Sequence, residues 1–169
     1  MPKKPTHRVS MSDGGFLKAA VDGNFKKIKS CLEQPKVAPI VLGDKILKAH
    51  EYDVNCRWRD GSTALMLSIG HEHPEIAEYL ISKSADVNLQ DNYGLTALIY
   101  AVVADDIKTA KLLLKNGAQT DLYSEKNDTA LSIAKKQKQT PFITILENHD
   151  RQKRAQFKAS PLKLKRRSR

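Results

Sequence analysis

The sequence is poor in aromatic residues, in cysteine and in long apolar runs. Phe, Trp and Tyr make up 6% of the 169 residues, so a core must be built mainly from Leu, Ile, Val and Ala. The two cysteines, Cys31 and Cys56, have no metal-ligand spacing, which favours reduced thiols in an intracellular protein. No apolar run approaches the ~20 residues that cross a bilayer, and none follows the basic start of the chain. We therefore expect no membrane segment, no secretory signal and a location in the cytoplasm, the nucleus or both.

Acidic residues are absent from both ends of the chain. All 19 lie between Asp13 and Asp150, whereas the first ten residues carry three basic side chains and residues 151–169 carry nine. The net charge of +10 thus belongs to the tails, because the body between them has 17 basic against 19 acidic side chains. Low hydrophobicity with one sign of charge favours disorder. We expect residues 1–12 and 150–169 to be disordered basic tails.

What the sequence does contain is a motif at a fixed spacing. GSTAL begins at position 61, GLTAL at 94 and, weakened, NDTAL at 127, so the step from one copy to the next is constant. A period of about 33 residues is typical of stacked repeats, each too small to bury its own apolar face. Each period holds two short helical patterns. In the clearest one, Thr96 is suited to begin the first helix and Gly117 to end the second.

These units resemble ankyrin repeats, whose pattern runs D-x-x-G-x-T-P-L-H and later G-A-D-V-N. The sequence has DNYGLTAL at 91–98, ADVN at 85–88 and DVN at 53–55. The resemblance implies an all-α ankyrin-repeat solenoid of about four repeats, the outer two acting as caps. The ranges are about 13–34, 53–85, 86–118 and 119–149.

The first two repeats are separated by an insertion of about 16 residues, which falls in the range 35–52. Asp44 is placed to cap a short helix there. A functional loop and an inert surface elaboration are both consistent with this insertion.

The resemblance also implies where a partner binds, because ankyrin arrays contact partner proteins through hairpin tips and the exposed side of the first helix. Trp58 stands out, since it takes the place that Asp91 has in the next unit, and its alternative role is local packing against the insertion. Trp, Tyr and Arg dominate interface hot spots. The predicted partner-binding residues are Arg57, Trp58, Arg59, Asp60, Gln90, Asn92, Tyr93, Leu95, Tyr123, Glu125 and Lys126.

The basic tail resembles a bipartite nuclear import signal. Lys153 and Arg154 form a first cluster, and ten residues separate them from Lys165, Arg166 and Arg167. A nuclear import receptor is the partner that this pattern implies. A contact with nucleic acid or acidic lipid, or a solvated tail without a role, is also consistent with the charge.

Catalytic and metal-binding patterns are weak. His71-Glu72-His73 lies where the repeat has its inter-helix turn and lacks further ligands, and there is no Gly-rich phosphate loop. We expect a non-catalytic monomer, with no cofactor and no metal, that acts as an adaptor or regulator of a protein partner. The alternatives are a nucleic-acid or chromatin binder that uses the tail, and an inhibitory or targeting subunit of an enzyme.

Overall fold

A computed structural model of the protein describes residues 11–33, 40–42, 45–47 and 53–159. This part of the chain contains eight α-helices and one two-stranded antiparallel sheet. The helices are α1 (Met11–Val21), α2 (Phe25–Glu33), α3 (Ala64–Gly70), α4 (Pro74–Ser82), α5 (Ala97–Val103), α6 (Ile107–Lys115), α7 (Ala130–Lys136) and α8 (Thr140–Ala159). The strands are β1 (Ile40–Leu42) and β2 (Lys45–Leu47).

The helices form four antiparallel pairs that stack in chain order. The first helices, α1, α3, α5 and α7, pack against one another in an inner row, and α2, α4, α6 and α8 form an outer row. One apolar core runs through all four pairs, with Phe16, Leu65, Leu98 and Leu146 among its fully buried members. A buried Leu contributes about 1.5–3 kcal/mol, and no single pair could bury its own stripe. The predicted all-α solenoid is confirmed.

Threonine begins the first helix of each of the last three pairs. Thr63, Thr96 and Thr129 have extended backbone, and each hydroxyl accepts a hydrogen bond from the N–H three residues later, at 3.2–3.3 Å. Such caps satisfy a backbone donor that the helix leaves unpaired, and are worth about 1 kcal/mol each. The helix start predicted at Thr96 is confirmed.

Each inter-helix turn contains one residue with left-handed backbone. These residues are Gly23, Glu72, Asp105 and Lys138, with φ between 54° and 67°. The last three follow one another at the period of the repeat, whereas the step from Gly23 to Glu72 is longer and spans the insertion. Only glycine adopts this conformation without a steric cost, so the three other turns carry backbone strain.

The short helix predicted after Asp44 is wrong. Residues 45–47 form strand β2, which pairs antiparallel with β1 and places Ile40 opposite Leu47 and Val41 opposite Ile46. The reason lies in the residue types, because β-branched side chains favour strands.

The predicted ends of the ordered region are also wrong in part. α1 already begins at Met11, and α8 continues ten residues past 149 to Ala159. Phe142 and Leu146 anchor the first half of α8 in the core. Extending a helix that already exists adds one hydrogen bond per residue without a new nucleus, and Arg, Lys, Gln and Ala are good helix formers. Residues 1–10 and 160–169 of the predicted tails lie outside the described residues.

Candidate partner-binding surface

Three hairpins precede α3, α5 and α7 and stack into a row. Each is closed by an antiparallel bridge, between Arg57 and Thr63, Gln90 and Thr96, and Tyr123 and Thr129. Backbone hydrogen bonds of 2.8 Å join neighbouring hairpins: Asn92 N–H donates to the Asp60 carbonyl, and Glu125 N–H to the Tyr93 carbonyl. The hairpin tips therefore form one continuous edge of the array.

Two polar side chains at equivalent positions connect the hairpins a second time. The Arg57 guanidinium donates to the Gln90 carbonyl at 2.6 Å and to the Gly61 carbonyl at 3.3 Å. One period later, the Gln90 amide donates to the carbonyls of Tyr123 at 3.0 Å and Gly94 at 2.8 Å. Arg57 and Gln90, both predicted to contact a partner, thus bind the next hairpin. Because Arg57 and Gln90 lie one repeat period apart in the sequence, an equivalent role for the two residues could have been predicted.

Asparagines form a third set of links between neighbouring units. The Asn55 side-chain oxygen accepts from Asp86 N–H at 2.8 Å, and the Asn88 oxygen accepts from Gln119 N–H at 2.8 Å. The Asn88 amide also donates to the Gly117 carbonyl at 3.1 Å. Repetition of Asp-x-Asn at 53–55 and 86–88 would have been enough to predict equivalent roles.

Glycine at the hairpin turn permits this close stacking. Gly61 and Gly94 have φ of 83° and 75°, and a Cβ on either would lie 2.8–3.1 Å from backbone atoms of the next hairpin. The third hairpin has Asn127 there, with φ of 60°. Asn tolerates left-handed backbone, and no later hairpin within the described residues packs against it. This explains why the motif weakens at its third occurrence.

Trp58 and Asp91 occupy equivalent places with opposite environments. Asp91 is buried, and its carboxylate accepts from the N–H groups of Tyr93 and Leu95 and, at 3.0 Å, from the Tyr100 hydroxyl. Burial, together with the Asp91 charge, raises the pKa of Tyr100 to about 12. In the preceding unit Trp58 replaces the carboxylate and Leu67 replaces the tyrosine, so the hydrogen-bonded pair is lost as a unit. Trp58 is instead 39% exposed.

Exposed apolar side chains are concentrated along the same edge. Within the described residues, four large apolar side chains are exposed: Trp58, Tyr93 (58%), Val103 (59%) and Tyr123 (61%). Three lie on hairpins and the fourth at the end of α5. Aromatic side chains supply much of the energy of protein interfaces, because they bury a large area with few rotatable bonds.

Comparison with known families decides what the array is. A family model described as ankyrin repeats, in three copies, matches residues 17–124. The chain belongs to the ankyrin-repeat family. A comparison with curated proteins gives no significant match. Ankyrin repeats generally mediate protein–protein interaction and are typically non-catalytic. The match stops before α7 and α8, which nevertheless continue the ankyrin stack as a fourth helix pair.

The remaining predicted contact residues divide into exposed and structural ones. Arg59, Glu125 and Lys126 are exposed on the ankyrin hairpins. Asp60 accepts from Ser62 N–H at 3.0 Å and shapes its turn, and the exposed Asn92 donates its amide to the Arg59 carbonyl at 3.1 Å. Leu95 packs against the core.

The first ankyrin pair is joined to the second by polar and aromatic contacts. Tyr79 donates to the Glu33 carboxylate at 2.9 Å and packs edge-on against the Phe25 ring, with centroids 5.2 Å apart. This hydrogen bond lowers the pKa of Glu33, whereas burial and the carboxylate raise the pKa of Tyr79 to about 12. The His73 ring lies against Gly23 and its Nε2 is 2.9 Å from the Val21 carbonyl. His73 therefore serves the stacking of the array.

No group of three or more His, Cys, Asp and Glu side chains in ranges 11–33, 40–42, 45–47 and 53–159 is arranged to hold a metal ion. Across the same ranges, no helix combines the length and the hydropathy that a membrane crossing needs.

The structure describes one of the two clusters of the predicted import signal. Lys153 and Arg154 are exposed on α8, on a helix rather than in the disordered tail expected. Lys165, Arg166 and Arg167 lie outside the described residues.

Proposed function

We propose that this ankyrin-repeat protein is an adaptor or regulator that binds a protein partner along its hairpin edge and the exposed end of α5. The observation that carries the proposal is the row formed by Trp58, Tyr93 and Tyr123 on the hairpins, with Val103 exposed at the end of α5. These are the large apolar side chains exposed in the described part of the chain. Such a row leaves apolar area in water, which a partner would cover.

Rigid support makes this edge suitable for recognition. Hydrogen bonds between neighbouring hairpins fix the tips before any partner arrives, so little conformational entropy is lost on binding. Arg59 and Lys126 beside the aromatic side chains add positive charge at the rim, where charged groups govern the rate of association and its specificity.

The test is quantitative capture of partners from a cell extract. We expect Trp58→Ala/Tyr93→Ala to lose proteins that the wild type recovers, because both side chains are exposed anchors and their truncation leaves the core intact. A control variant, Glu78→Ala/Lys111→Ala, removes two exposed side chains from the outer helices and should recover the wild-type set. Equal recovery by all three proteins would contradict the assignment. A photo-crosslinking residue at position 123, compared with position 111, would then identify the partner.

The basic tail supports a second role in nuclear import. Import receptors bind extended basic peptides, so engagement of Lys153 and Arg154 requires the end of α8 to unwind. We expect a fluorescent fusion to leave the nucleus when Lys165, Arg166 and Arg167 are changed to Ala. Unchanged nuclear accumulation of that triple variant would exclude the signal.

A nucleic-acid or chromatin binder is the competing function, and the charge of the tail favours it. Binding that releases counterions weakens steeply with salt. Removing residues 160–169 leaves α8 whole and takes away five of the nine basic side chains. Loss of DNA binding with retained protein capture would assign the tail to nucleic acid and the hairpin edge to protein. If the captured partner is an enzyme, its activity measured with and without the ankyrin-repeat protein tests the alternative of an inhibitory or targeting subunit.

A further inference from the structure

The C-terminal end of the array carries a groove that is separate from the hairpin edge. It lies between α7 and the second half of α8, and is lined by Leu131, Glu147, Asp150, Arg151, Arg154 and Ala155. The groove forms where α7, in the last helix pair of the described residues, faces the C-terminal half of the longer α8.

Leu131 forms an apolar floor that no later helix within the described residues covers. Its equivalents one and two periods earlier, Leu98 and Leu65, are each 1% exposed because the following inner helix packs on them. Leu131 is half-buried, with Ala155 beside it in the groove. An apolar side chain from a partner could therefore gain contact area here.

The acidic side chains of the groove have polar partners within the protein, whereas the two arginines have no carboxylate partner among the described residues. The Glu147 carboxylate is 2.9 Å from the Lys135 ammonium, and Asp150 accepts from the Thr120 hydroxyl and is 3.9 Å from His149 Nδ1. Arg151 and Arg154 are exposed, and neither guanidinium has a carboxylate partner in the part of the chain that the structure describes. Two cations, three residues apart on one helix, are left for a ligand.

We propose that this groove binds an acidic peptide segment of a partner protein, with an apolar side chain on Leu131 and carboxylates on Arg151 and Arg154. Guanidinium groups hold carboxylates through paired, charge-assisted hydrogen bonds. The apolar lining at Leu131 and Ala155 favours a peptide with an apolar side chain over a phosphate backbone, and nucleic-acid binding is an outcome of the test. The chain's own residues 160–169 carry five cations and no acid, so the two arginines would repel them.

The test uses the full chain and defined probes in fluorescence anisotropy. The probe is a labelled peptide of four Leu-Glu-Glu repeats, compared with four Ser-Glu-Glu repeats and a 12-nucleotide oligo-dT. We expect the leucine peptide to bind, and the serine peptide and the oligonucleotide to bind at least tenfold more weakly. We expect Arg151→Glu/Arg154→Glu to weaken binding of the leucine peptide at least tenfold.

A matched control comes from α6. Lys108 and Lys111 are also three residues apart, exposed and without an ion-pair partner among the described residues. Lys108→Glu/Lys111→Glu makes the same change in charge and should bind the leucine peptide as the wild type does. Circular dichroism checks folding, and Arg151→Gln/Arg154→Gln replaces the charge-reversed variant if that variant fails to fold.

Several outcomes would overturn the proposal. These are no binding of the leucine peptide, equal loss in the α6 control, and equal or tighter binding of the oligonucleotide or the serine peptide. Deletion of residues 160–169 that increases peptide affinity would instead make the tail the occupant. If the protein forms a concentration-dependent dimer in sedimentation and Arg151→Glu/Arg154→Glu abolishes that dimer, the occupant of the groove is a second copy of the chain. The edge variant Trp58→Ala/Tyr93→Ala should leave peptide binding unchanged, so this proposal and the proposed function fail independently.

Discussion

The position of a leucine in the stack should determine what its truncation costs. Leu98 and Leu131 occupy equivalent places in the first turns of α5 and α7, one period of the repeat apart. Leu98 is 1% exposed between two neighbouring helix pairs, whereas Leu131 is half-buried at the open end. We predict that Leu98→Ala destabilises the protein far more than Leu131→Ala.

The expected magnitudes follow from burial. Truncating a fully buried leucine loses the transfer free energy of the removed atoms and leaves a cavity, for a total of about 3–5 kcal/mol. At Leu131 part of the side chain is already in water, and the space left is open to solvent, so no closed cavity forms. We expect a cost of about 1–2 kcal/mol there, from the lost burial alone.

Urea denaturation followed by circular dichroism measures both costs, and Leu65→Ala serves as a second buried control. Leu65 is also 1% exposed, so its truncation should cost as much as that of Leu98. Because repeats couple mainly to their neighbours, the midpoints of each variant should be compared at two wavelengths to detect stepwise unfolding. Equal losses at Leu98 and Leu131 would refute the reasoning, since they would mean that something covers the end of the array.

Two further predictions concern single residues. Spectrophotometric titration should show Tyr79 and Tyr100 ionising at about pH 12, and the Tyr100→Phe variant should lose one of these two late transitions. Both tyrosines have a higher pKa in the folded protein than the ordinary value of 10. The free energy of unfolding that they contribute should therefore be complete below pH 10 and lost between about pH 10 and 12. Alkaline unfolding that begins well below pH 10 would contradict this. Glu72→Gly should stabilise the protein by up to about 1 kcal/mol, because glycine removes the strain of left-handed backbone at a small entropic cost. A lower melting temperature for this variant would show that the Glu72 side chain makes a stabilising contact.

The repeat could be predicted from the sequence because its signals are local. Thr63, Thr96 and Thr129 each cap a helix through their own hydroxyl, and the apolar spacing that follows fixes which face is buried. Family membership followed from the same residues.

The candidate surface could be predicted only in part. Trp58, Tyr93 and Tyr123 are exposed as expected, and whether they bind a partner stays a prediction. Arg57 and Gln90 were assigned to the same surface, yet each donates to the next hairpin. A hydrogen bond between neighbouring units depends on how those units stack, which residue type alone does not reveal.

The structures of the insertion and of the second half of α8 were also predicted wrongly from local sequence, because other parts of the chain determine them. Short segments with mixed propensities, such as residues 40–42 and 45–47, take their structure from pairing between strands. Residues 150–159 are charged, which favours disorder when they are considered alone, but they continue a helix that Phe142 and Leu146 hold in the core.

By itself, the sequence determined the period, the helix pairs, the family and the confinement of excess positive charge to the ends. These properties arise from residue spacing and composition, which can be read from the sequence without knowledge of contacts between distant residues. Only the tertiary structure decided which polar side chains lock the hairpins together, which aromatic rings stay exposed, and that Leu131, Arg151 and Arg154 meet in one groove. Each of these depends on contacts between units, and the end of the stack leaves Leu131 without the neighbour that covers Leu98.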